Sequence, residues 1–196
     1  MRPGLLTHPT IPVALHGVAP RSILGKRWWD KTRVDTYDKA GRRCQACGSE
    51  PGEGGLYGNG GRLEAHECYN INYDTGVVLL DEIVALCALC HRFVHSGRLR
   101  ILYESDVMTH SEVMKVLDRG MKILHDANLQ PFAGTYLLYE ELKGTSEVVA
   151  LQEGLEIPDE SKVQWSEWHL VLEGKKYYSL YSSREEWHEY WRLHGV

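Results

Sequence analysis

No stretch of the chain approaches the roughly 18 consecutive apolar residues that a membrane-spanning helix requires, so no membrane partner is expected. Ile11-Pro12-Val13-Ala14-Leu15 is the most apolar piece of the first twenty residues. The neighbouring prolines and His16 interrupt it too soon for a signal-peptide core, and a cytoplasmic protein is expected. No internal repeat is visible. The glycine-rich run 51–61 is followed by no Gly-Lys-Ser/Thr, which excludes a phosphate-cradling loop and leaves a flexible segment able to lie against a groove. Net positive charge is also missing: the formal balance is -5.

That deficit is uneven. Residues 1–48 carry nine Lys/Arg against three Asp/Glu, whereas residues 101–196 carry nine against seventeen. Such asymmetry suits an N-terminal half that meets phosphate and a C-terminal half that does not. Lys26, Arg27 and Lys31 cluster on a helix expected from Ser22 to about Gly41, with Trp28, Trp29, Val34 and Tyr37 at helical spacing along a core-facing side. Ahead of it, residues 1–21 read as an extended, proline-rich arm.

Cysteine is scarce, and its placement is informative. Four of the five form two C-x-x-C pairs, Cys44/Cys47 and Cys87/Cys90. Two intervening residues let both sulfurs of a pair turn toward one point, and two pairs make the four-thiolate set of a closed tetrahedral zinc site. Thiol redox chemistry is disfavoured, because neither pair sits in a βαβ pattern. Cys68 is left over and is expected in a core, where a free cysteine packs as a small hydrophobe. Beside the pairs stand His66, in Leu63-Glu64-Ala65-His66-Glu67, and the helix-spaced His91 and His95, which can share a second metal.

The local pattern over this region is strand (62–72), turn (Asp74-Thr75-Gly76), strand (Val77 onward) and a short helix from His91 ending near Gly97. Beyond residue 100, Thr109-His110-Ser111-Glu112 is a capping box opening a helix through Leu124. A helical piece follows around 136–142. A hairpin turns at Gly174, and a last helix carries Trp187, Tyr190 and Trp191. Four of the six tryptophans lie in this tail, where a small aromatic core is expected.

The ordered set C-x-x-C, L-E-A-H-E and A-L-C-x-x-C-H-x-x-x-H, followed by Ser-Gly-Arg, resembles the HNH endonucleases, in their zinc-stapled bacterial and phage form. The resemblance covers roughly residues 22–100. It implies an α+β protein: a ββα-metal core over 22–105 stapled by a structural Zn2+ on Cys44, Cys47, Cys87 and Cys90. The α+β extension over 106–196 lies outside the resemblance; setting specificity, dimerising and docking a protein partner are all open to it. The implied activity is metal-dependent hydrolysis of DNA phosphodiesters, by nicking or double-strand cutting, with Mg2+ or Mn2+ on His66, His91 and His95. Glu67 falls on the general-base position, with His91 completing the catalytic set. Alternatively, His66 is the base and Glu64 or Glu67 serves the metal. Arg92 and Arg98 would join Lys26, Arg27 and Lys31 on the DNA. Two positions depart from the family's pattern: Glu67 replaces its usual histidine and Glu82 its central asparagine. They point to a second reading, a zinc-stabilised DNA- or protein-binding module with weakened catalysis on the same scaffold.

Overall fold

The computed structural model describes residues 1–50, 62–144, 155 and 158–194. The chain is mixed α+β, with helices α1 (Pro20–Lys39), α2 (Ala88–Val94), α3 (Ser96–Glu104), α4 (His110–Asp126), α5 (Ala133–Leu142) and α6 (Arg184–His194). Strands β1 (Leu63–Asn72), β2 (Val77–Cys87), β3 (His169–Leu172) and β4 (Lys175–Tyr178) form one sheet in the order β1-β2-β3-β4. The glycine-rich run 51–61 lies outside the described residues. Among the described residues no helix is long and apolar enough to cross a membrane.

Two compact units emerge, both discontinuous in sequence. One holds Met1–Thr10, Thr36–His66 and Val84–Ile157; the other holds Ile11–Asp35, Glu67–Ile83 and Pro158–Val196. Neither has a boundary at 21 or 105, where the sequential reading divides the chain.

The first unit is a helical cluster over the base of the β1–β2 hairpin. Val113, Val116, Leu117, Gly120 and Leu124 recur at helical spacing on α4 and are buried. The Thr109 hydroxyl accepts the Glu112 N–H at 3.3 Å, and the Glu112 carboxylate accepts the Thr109 N–H at 2.8 Å, so the expected capping box forms. α4 packs on α2, where Phe93 is fully buried, and α3 packs on α5. Thr135 donates to Ser96 at 2.9 Å, closing the latter contact with a satisfied buried polar pair.

The second unit surrounds Trp168, Leu170, Val78, Leu15 and Val18. β3 pairs parallel to β2, Val77–Leu79 against His169–Val171, and antiparallel to β4. The β1–β2 turn is built locally: Asn72 Oδ1 accepts the N–H groups of Asp74 and Thr75, each at 3.0 Å. Gly76 closes it at φ 70, where a Cβ would come within 2.6 Å of Val163. The β3–β4 loop places Glu173 and Gly174 both at positive φ, which a two-residue hairpin turn of matching twist requires.

Several expectations need correction. The first twenty residues are not an extended arm: Pro3–Thr7 and Val13–Leu15 are 3-10 turns whose Leu5, Leu6, Ala14 and Leu15 are buried, so apolar burial overrides the prolines. α1 breaks at Gly25, and its tryptophans are half-buried while Val34 is 42% exposed, so no core-facing stripe forms. Instead α1 is laced by the i,i+4 pairs Lys26–Asp30 and Lys31–Asp35, as expected of a helix that is polar around its girth. Gly97 does not end a helix. The break comes at His95, and Gly97 lies inside α3. In the tail, Trp168 is core, but α6 fully buries none of its residues. Cys68 is fully buried, as expected.

Candidate metal centre

The two cysteine pairs reach one point by different local routes, both within the first unit. Cys44–Cys47 forms a tight turn in which Gly48 N–H donates to the Cys44 carbonyl at 2.7 Å. Gln45 pins that turn to β2: its N–H donates to the Ala85 carbonyl at 2.9 Å, and its side-chain oxygen accepts the Ala85 N–H at 2.7 Å. The other pair straddles the start of α2. Cys87 is the N-cap, its sulfur accepting the Cys90 N–H at 3.5 Å.

The four sulfurs all lie within 4.8 Å of one another, with Cys47 Sγ and Cys87 Sγ 3.9 Å apart. Tetrahedral zinc with Zn–S of about 2.3 Å sets its sulfurs roughly 3.8 Å apart, so the donor set fits a structural zinc ion. The four groups cannot ionise together without a cation. Cys44, Cys87 and Cys90 stabilise a thiolate at Cys47, holding its pKa far below the ordinary thiol range, while Cys44 and Cys47 push Cys87 and Cys90 upward. A divalent ion removes that conflict.

The second cluster draws His66 from β1 and His91 and His95 from α2 and its C-terminal junction. Their ligand nitrogens also fall within 4.8 Å of one another. Ring centroids lie 4.6–5.3 Å apart with near-perpendicular planes, and His66 Nδ1 faces His95 Nε2 at 3.1 Å. Although the backbone breaks at His95, its N–H still donates to the His91 carbonyl at 3.2 Å, which keeps the two rings on one side. Burial first, then the neighbouring His95, His91 and His8, push the His66 pKa down to about 2. His66 is therefore a neutral imidazole, the form that binds metal.

Behind the cluster, Glu64 accepts the Nδ1 proton of His91, leaving Nε2 of that ring for a ligand. His91 holds the Glu64 carboxyl below its usual range, against the effect of burial. Three imidazole nitrogens suit zinc, nickel or a similar borderline cation; Mg2+ and Mn2+ favour oxygen ligands and match this set poorly.

The structure thus gathers His66, His91 and His95, and places Glu64 where it orients one of them. Glu67, next to His66 on β1, is half-buried and is not among the side chains whose ligand atoms converge there. Arg92 follows His91 on α2, and Arg98 is exposed on α3. Arg27 is exposed on α1, whereas Lys26 and Lys31 are engaged with Asp30 and Asp35. Two contributors carry no sequence signal: His8, which acts electrostatically on His66, and Arg119, which donates to Cys47 Sγ at 3.5 Å from 72 residues away. Compared with protein-family models, curated proteins and solved structures, the chain matches none.

Proposed function

We propose that this protein is a metal-dependent endonuclease of the HNH type, hydrolysing DNA phosphodiester bonds on a ββα-metal arrangement of β1, β2 and α2. One observation carries the reading: a strand histidine and two helix histidines converge on one point beside a four-cysteine staple, with a carboxylate fixing the tautomer of one imidazole. A divalent cation there supplies Lewis acidity, lowering the pKa of water and neutralising charge that builds on the phosphate.

The chain's own residues divide the remaining work. Buried, neutral His66 acts as a ligand in preference to a base, because a base needs a pKa near the working pH. Glu64 holds His91 in the ligating tautomer. Arg92 and Arg98 grip flanking phosphates, and Lys26, Arg27 and Lys31 add further contacts; exposed ion pairs such as Lys26–Asp30 are weak enough to exchange for phosphate. One such site cuts one strand, so a monomer nicks and a double cut needs a dimer or two events; residues 106–196 would supply the dimer contact if they do not dock a protein partner. The second reading, a zinc-stabilised binding module, is favoured by the two departures from the family's pattern, Glu67 for its usual histidine and Glu82 for its central asparagine.

The test is supercoiled plasmid incubated with the native protein in Zn2+, Ni2+, Mn2+, Mg2+ or EDTA, beside His66→Ala and His91→Ala. Metal-dependent nicking that both variants lose is the expected outcome. Plasmid left intact under every ion, with zinc-loaded and folded protein that still retards DNA in a gel, selects the binding module.

A further inference from the structure

We propose that Arg119 on α4 is a positioning residue for the four-cysteine centre, holding Cys47 as a bound thiolate and slowing loss of the zinc. The proposal rests on zinc occupying the four sulfurs and is independent of the nuclease reading.

The four ligands are not equally protected. Cys44, Cys87 and Cys90 are buried, whereas Cys47 is half-exposed; of the four, Cys44 and Cys47 line a surface cleft with Met1, Arg43 and Gly48. Cys47 is therefore the ligand that water, chelators and electrophiles reach first. It also attracts donors from outside the set: Ser49 Oγ lies 2.9 Å from its sulfur, and Arg119 Nη2 donates to it at 3.5 Å.

Arg119 comes from far away in sequence, and its arrival is built into the packing. Gly120, the next residue, faces Phe93 of α2 so closely that a Cβ there would stand 2.1 Å from the ring. The bare backbone lets α4 approach α2, whose first turn carries Cys90, and this brings the guanidinium within reach of the thiolates. Arg119 forms no ion pair with a carboxylate among the described residues, and its Nε is buried with no hydrogen-bond partner there. A guanidinium is always charged, and a zinc ion on four thiolates leaves a net charge of about -2. The thiolate set is thus the anion that this cation meets. A charge-assisted N–H···S bond draws electron density from Cys47 and offsets the repulsion among the sulfurs. Outer-shell partners of this kind typically change metal affinity by about 10- to 100-fold.

The alternative is that Arg119 merely packs its aliphatic stem against α2. Arg119→Met keeps the stem and removes the charge; Arg119→Lys keeps the charge and loses the planar fork. The native protein and both variants are loaded with Co2+, whose near-ultraviolet thiolate charge-transfer bands report the cysteine site and not the histidines. Transfer of the metal to a competing chelator is then timed. Release is expected about 10-fold faster or more in Arg119→Met and intermediate in Arg119→Lys, with the charge-transfer bands displaced to lower energy in the same order. If the methionine variant fails to fold, Arg119→Lys against native protein decides by the same two readouts. Native release rates and unshifted bands in the folded variants overturn the proposal. So does native protein that takes up cobalt with no thiolate charge-transfer band.

Discussion

The Glu64 carboxylate accepts the Nδ1 proton of His91, 27 residues away in the chain, and so fixes which nitrogen of that imidazole faces His66 and His95. An imidazole free to flip or to switch tautomer would lose part of its value as a ligand. Glu64→Gln keeps the size and removes the charge. It is expected to weaken binding of Zn2+ or Ni2+ at the histidine cluster by about 10- to 100-fold in calorimetric titration, with the four-cysteine site already filled. Equal affinity in native and variant protein would falsify the orienting role.

Donor chemistry ranks the cations. Three imidazole nitrogens favour Zn2+ or Ni2+ over Mg2+, so competition experiments are expected to show binding of the former at micromolar concentrations or below and little competition from millimolar Mg2+ (both are orders of magnitude). Tight Mg2+ binding that His95→Ala abolishes would mean that oxygen donors complete the set.

The four-cysteine centre sits where Gln45 and α2 are tied to β2, so a zinc ion bound there would couple to the local fold. Cys90→Ser is expected to lose that zinc and unfold the first unit's helices at ordinary temperature, measured by metal analysis and circular dichroism. A variant that lacks zinc yet melts like the native protein would make the cluster dispensable.

Gly120→Ala places a methyl 2.1 Å from the Phe93 ring. Either α4 or the ring must shift, and such overpacking costs about 1–3 kcal/mol, visible as a lower Tm. Combining it with Phe93→Leu, which frees space, is expected to recover part of the loss beyond additivity.

Acid should weaken the protein through His66 when zinc fills the four-cysteine site and the histidine cluster holds no metal. Its folded pKa is about 2 against 6.5 unfolded, so the unfolded chain binds an extra proton throughout that window. The full stability is present above about pH 6.5 and falls as pH drops toward 2, by roughly 1.4 kcal/mol per pH unit. Urea unfolding at about pH 7 and about pH 5 should therefore show a loss of about 2 kcal/mol that His66→Asn does not share. Equal losses in both proteins would place the acid sensitivity elsewhere.

What was legible in the sequence is what a few neighbouring residues decide. The cysteine spacing, the Thr109–Glu112 capping box, the Asp74–Gly76 turn and the hairpin at Gly174 each carry their own geometry within four or five positions.

Other features were fixed only by tertiary structure. Leu5, Leu6 and Leu15 become core because helices and strands from elsewhere cover them, although prolines make the surrounding segment look extended. β3 lies parallel to β2 across about ninety residues of sequence, a pairing that strand propensity does not specify. Arg119 looks like one more solvated helix charge until Gly120 lets α4 close on α2 and carry it to Cys47. Local patterns set local conformation because short-range sterics and hydrogen bonds act within a turn or two. Which distant side chains then meet depends on packing the apolar faces together, and that is decided by the whole chain at once.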